Sequence, residues 1–148
     1  MGRSKAGMGI NVALCLAALG VMAFFAYCSS GCAYFRGSLF GIDLKVLGSV
    51  YMLALLVLSL FRQELLTSLF LGAGLGGEAV LVAFQVRQGR YCPFCLIFGT
   101  IVVVLCLINF RWSRRWPILA ALVVGYLVFL AFFKGSFVPR FDLSFPIQ

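Results

Sequence analysis

The chain has 148 residues, enough for one domain, and 64% of them are apolar, 16% aromatic and only 11% charged. A typical globular chain is about 25% charged, and a soluble fold of this size leaves too much surface wet to hide so much apolar side chain. Disorder, collagen and small disulfide scaffolds are excluded, and membrane lipid is the expected surrounding. The net charge is +8, but the basic residues are scattered in ones and twos. The densest group, Arg111, Arg114 and Arg115, falls between two apolar runs, where it orients a membrane protein rather than binding nucleic acid. There is no His, which removes the commonest metal ligand and the usual general base.

Apolar runs of roughly 18 residues or more cross a bilayer as helices, because only a helix satisfies its own backbone there. Five are expected, at 8–27, 46–61, 65–86, 93–110 and 117–133, in an all-α integral membrane domain covering 1–148. A loop at 28–45 and a short tail at 134–148 complete it. The first run follows Arg3 and Lys5 like a secretory signal, but its core is long and Tyr27 suits no cleavage site, so it reads as a retained helix. Basic residues divide evenly between the two faces; the first helix and the Arg111–Arg115 cluster favour an inside N-terminus. Whichever face is outside, the connections after the first and third spans share it. Cys28, Cys32, Cys92 and Cys95 therefore gather at one membrane surface.

Gly72-Ala73-Gly74-Leu75-Gly76-Gly77 formally matches a dinucleotide-binding loop, but no strand or βαβ unit surrounds it. Within an apolar helix, Gly72 and Gly76 serve close helix packing. Cys15 and Cys106 lie mid-span and read as small hydrophobes.

The chemistry rests on the other four cysteines. In Tyr91-Cys92-Pro93-Phe94-Cys95, Pro93 suits a first helical turn, which places Cys92 near the N-cap and Cys95 on the same face. The positive helix end favours thiolate, the nucleophile of disulfide exchange. Arg87 and Arg90 are interfacial residues that also stand near enough to favour it. Cys28 and Cys32 form a second pair on the loop, suited to a relay through a mixed disulfide. A structural bridge or a four-thiolate zinc site are the alternatives; zinc fits poorly without His or a polar knuckle, so no metal is expected.

Cys28 and Cys32, then Ser38, Phe40-Gly41-Ile42 and Gly48-Ser49-Val50-Tyr51, then Cys92-Pro93-Phe94-Cys95 entering a helix, resemble the vitamin K epoxide reductase (VKOR) family in ordered spacing. The resemblance covers most of the chain and implies a four-helix transmembrane bundle, here with a fifth helix. It also implies a quinone substrate of the menaquinone, ubiquinone or vitamin K type. By that likeness Cys92 and Cys95 are the active-site pair, with Cys95 facing the quinone. Cys32 exchanges with Cys92, and Cys28 receives electrons. Ser38 is a loop hydroxyl near the quinone, and Tyr51 an aromatic of its pocket. Phe94 and Phe98, close to Cys95 in sequence, are candidate quinone walls.

The chain departs from the family in separating its loop cysteines by three residues and in carrying Gly99 where animal members have a second pocket Tyr. The residues after Lys134 are too few for the thioredoxin-like domain fused to many bacterial members. A separate thioredoxin-like protein is expected to supply electrons from secreted thiol proteins.

Glu78 lies nine residues before Arg87, about 13 Å along the helix from that end. A mid-membrane carboxyl is by default a functional candidate, here for moving protons as a quinone is reduced. The equal alternative is a protonated Glu held inside the bundle beside a packing glycine.

The function expected from this set is a membrane thiol:quinone oxidoreductase that supports disulfide formation outside a prokaryotic cell membrane. A vitamin K quinone or epoxide reductase using the same cysteines, a DsbB-type oxidase with another helix order, and a non-catalytic scaffold with structural disulfides are the alternatives.

Overall fold

A computed structural model describes residues 5–27 and 35–137. Among the described residues five α-helices carry the fold: α1 (Lys5–Tyr27), α2 (Leu44–Leu60), α3 (Glu64–Gln88), α4 (Pro93–Asn109) and α5 (Arg115–Phe132). Each end falls within three residues of the boundary expected from hydropathy. Three helices, α1, α3 and α5, are long and apolar enough to cross a bilayer, while α2 and α4 are apolar helices of 17 residues. Their outward side chains include Leu107, Leu130 and Leu127, exposed as a lipid-facing surface requires.

The helical fold expected from the sequence also carries a small antiparallel sheet of order β2-β1-β3, made of β1 (Phe35–Leu39), β2 (Ile42–Asp43) and β3 (Phe133–Phe137). The loop at 28–45 thus contains two strands, and the supposed tail begins as a third. Gly37 pairs with Gly135, Ser38 with Lys134 and Leu39 with Phe133, so the two segments satisfy one another's backbone groups. Phe40 and Gly41 join β1 to β2 at φ 53° and 81°, the two positive values that a tight hairpin of right-handed twist requires. Phe40 is held there against Phe132, ring centroids 4.4 Å apart. Asp43 then caps α2, its carboxylate accepting from the Lys45 N–H at 3.0 Å.

α1 packs against α2 and α4, and α3 packs against α2, α4 and α5. The core between them is built on Cys15, Ala18, Met52, Leu55, Leu71, Phe98, Val102, Leu105 and Cys106, so Cys15 and Cys106 act as packing residues. Near one end of the bundle Asn11 and Asn109 exchange reciprocal amide hydrogen bonds of 3.0 and 3.1 Å between α1 and α4. At that end Arg111 also bridges to Glu64 at 2.9 Å.

The closest helix contact joins α3 to α5. A Cβ on Gly72 would lie 2.6 Å from the Ile118 carbonyl oxygen, one on Gly76 would meet the Leu122 carbonyl, and one on Gly125 would meet that of Ala73. The glycine motif is therefore a backbone-to-backbone seam inside a continuous helix, where dispersion over a close approach holds the helices. Gly125→Leu is expected to force them apart at a cost of ~1–3 kcal/mol or more, read as a lower unfolding temperature in detergent; an unchanged midpoint would refute the seam.

Candidate functional site

The approach to Cys92 is set by how α3 stops. Gly89 ends it in the left-handed region, φ 62°, its N–H reaching back to the carbonyls of Gln85 and Val86, and Arg90 and Tyr91 carry the chain to α4. Cys92 is the N-cap of α4 with Pro93 in the first turn, as the sequence spacing predicts, and the Cys92 carbonyl accepts from the Leu96 N–H. Its own N–H points into the protein and would be an orphan in an apolar setting. Gln85, only 1% exposed, supplies the partner: its Oε1 accepts from the Cys92 N–H at 2.7 Å. Sequence reasoning missed Gln85. The signal was an amide inside an apolar span, on the helix that leads into the CxxC.

Cys92 is 6% exposed and packs among Phe25, Leu81, Leu44 and Phe133. The Cys92 and Cys95 thiols hydrogen-bond to one another. The Cys95 thiol, donating to the Cys92 sulfur, is the largest influence holding the Cys92 pKa down at about 6; burial opposes it, and the backbone N–H groups of Cys95 and Phe94 and the Lys45 ammonium assist. Lys45 is positioned by the α2 cap, with its Nζ 4.5 Å from the centre of the Phe25 ring. It takes the electrostatic role expected of Arg87 and Arg90, which are exposed and have no such influence on the thiol.

Behind the pair lies a half-open cavity of about 700 Å³ between α2, α3, α4 and α5. Its wall is almost entirely apolar, and α2 and α5, which scarcely touch each other, form its two sides. Cys95, Phe98, Tyr51 and Glu78 all face it, together with Gly48 and Phe129. Cys92 is not part of the lining. Tyr51 donates its hydroxyl to the Phe70 carbonyl at 2.9 Å, and Glu78 on α3 sits against Gly99 on α4.

Of the other expected quinone contacts, Phe94 lies elsewhere. It packs on Phe25 with ring centroids 4.8 Å apart and borders a separate small cavity with Lys45 and Cys95. Ser38 sits in β1 opposite Asp43 and Lys134, and is not a lining residue. Cys28 and Cys32 lie outside the described residues. Among the described residues no cluster of three metal-ligating side chains occurs. No protein-family model, curated protein or solved structure matches the chain.

Two outcomes test this geometry. Alkylation of Cys92 by a small reagent should rise with a midpoint near pH 6, since reactivity follows the thiolate and is lost below its pKa; in Cys95→Ala the midpoint should move toward the ordinary thiol range. Gln85→Leu should leave the Cys92 N–H buried and unpaired, at a cost of about 1–3 kcal/mol, visible in chemical denaturation. A midpoint unmoved by Cys95→Ala, or a Gln85→Leu protein as stable as wild type, would contradict the respective contact.

Proposed function

We propose that the chain is a membrane thiol:quinone oxidoreductase of the vitamin K epoxide reductase type. The observation that carries this reading is the partition of one hydrogen-bonded thiol pair: Cys95 faces a large apolar cavity while Cys92 stands outside it. The cavity falls within the 300–1,000 Å³ usual for small-molecule sites, with few polar groups in an apolar wall. That suits a quinone, whose ring and prenyl tail are apolar. Cys95, Phe98, Tyr51 and Glu78 are the residues that would hold it. The ring of contacts α1–α2–α3–α4, with α5 laid on α3, also accords with a four-helix bundle carrying a fifth helix.

The electron path follows from thiol chemistry. A reduced secreted protein, or a separate thioredoxin-like carrier, reduces Cys28–Cys32. The Cys32 thiolate attacks the Cys92–Cys95 disulfide at Cys92, forming the Cys32–Cys92 mixed disulfide and releasing Cys95. Cys28 then attacks Cys32, which restores the Cys28–Cys32 disulfide and leaves Cys92 and Cys95 reduced. A bound quinone accepts the electron pair from these two sulfurs, which close again as a disulfide. Cys92 is the natural exchange partner because it stands at the helix start outside the apolar cavity, and its low thiol pKa makes it a good leaving group when Cys28 resolves the mixed disulfide. The redox cysteines face the outer side of a prokaryotic cell membrane in this reading, and the outcome is disulfide formation there.

Quinone reduction by the purified protein in detergent, driven by a reduced thioredoxin-like donor, tests the proposal. Turnover should vanish in Cys95→Ala and fall in Cys28→Ala when the donor is a protein. Equal activity in wild type and both variants, or none in folded wild type, would leave the cysteines structural and the chain a scaffold.

A further inference from the structure

Among the described residues Glu78 is the one carboxyl lining the cavity, on α3 about 15 Å from the helix end at Gln88. Its Oε2 lies 2.8 Å from the point where a Cβ on Gly99 would stand, so the carboxyl occupies space that any side chain on α4 at this position would take. Gly99 is one helical turn beyond Cys95, and Glu78 is within electrostatic reach of both Cys95 and Tyr51. Among the described residues no group donates a hydrogen bond to the carboxyl and no cation pairs with it. An unpaired charge buried in an apolar setting costs several kcal/mol, so the carboxyl there holds its proton. The titratable groups facing it are Tyr51 from α2 and Cys95 from α4; the α5 wall, Gly125, Val128 and Phe129, offers none. Tyr51 has committed its hydroxyl hydrogen to the Phe70 carbonyl.

Resting on the thiol:quinone reading of this site, we propose that Glu78 delivers the second proton of quinol formation, and that Gly99 leaves the room in which it does so. Proton balance supplies the reason. Reducing a quinone to a quinol takes two electrons and two protons. The Cys92–Cys95 pair supplies both electrons as its disulfide closes, but Cys92, at the N-cap of α4 with the Cys95 thiol donating to its sulfur, is the member held as thiolate and brings no proton. Cys95 gives its thiol proton, and Glu78 gives the other. Thiolate, thiol, carboxylic acid and quinone become disulfide, carboxylate and quinol, with one negative charge on each side. The carboxylate regains its proton between turnovers.

The test uses the full chain in detergent, reduced beforehand and freed of reductant, mixed with a short-chain naphthoquinone, and follows a single turnover. Glu78→Gln should slow quinol formation on the order of a hundredfold, the usual contribution of a positioned general acid. Glu78→Asp, which retains an acid, should recover part of the rate. Independently of turnover, the infrared spectrum of wild type should carry a protonated-carboxyl band that is absent in Glu78→Gln and shifted in Gly99→Ala. A Glu78→Gln protein that forms quinol at the wild-type rate overturns the inference alone, as does a wild type without that band. Wild-type protein that forms no quinol at all overturns the site reading, and this inference with it.

Discussion

An apolar surrounding offers no water to a backbone polar group, so each one must find its partner within the chain. Inside the five helices the requirement is met locally. It becomes a design constraint where helices stop. At one face of the bundle β1 and β3 pair with each other, and this ties the segments beside α2 and α5 together. At the α3–α4 junction no strand is available. There Gly89 closes α3 on its own carbonyls, and Gln85 reaches out to take the Cys92 N–H. The position of Cys92 is thus a by-product of satisfying a buried amide.

That hydrogen bond places two chemically similar thiols in different surroundings. Cys92, at the helix start, feels the free N–H groups of the first turn and the Lys45 ammonium, both of which favour negative charge. Cys95, one turn on, looks into an apolar cavity. Its thiol donates to Cys92 and so stabilises the thiolate beside it. One sulfur stands among the N–H groups of a helix start, the other at the wall of an apolar cavity. The CxxC spacing at a helix N-terminus is enough to create the difference, because three residues carry the chain from the N-cap to the wall of the cavity.

α3 is the element on which the site depends. One side of it is stripped to glycine so that α5 can approach to backbone contact. Gln85 and Glu78, two of its polar side chains, face α4: the first anchors Cys92 and the second rests on Gly99. Close packing on one side fixes the helix axis, and a fixed axis lets two buried polar groups be aimed. The cavity arises between these contacts, where α5 follows α3 and stays apart from α2.

Much of this was legible in the residues themselves. Hydropathy placed the five helices to within three residues, and Pro93 marked the start of α4, because helix formation in an apolar run and a proline's preference for the first turn are local properties. The glycine motif was readable as a packing seam for the same reason. Tyr51, Phe98, Glu78 and Cys95 were singled out, yet their convergence on one cavity depends on the rotation of three helices about their axes, which no single run encodes. Gln85, Lys45 and the strand at Phe133–Phe137 escaped notice because each acts on a segment distant in sequence or across a turn, and Ser38 and Phe94 were placed in the pocket by order along the chain when they lie beside it. The sequence by itself determined the helices, their lipid-facing character and the paired cysteines, since these follow from side chains a turn or less apart. Only the tertiary structure decided which cysteine meets the cavity, which carboxyl stands beside it and which amide holds the pair in place, because those are contacts between helices.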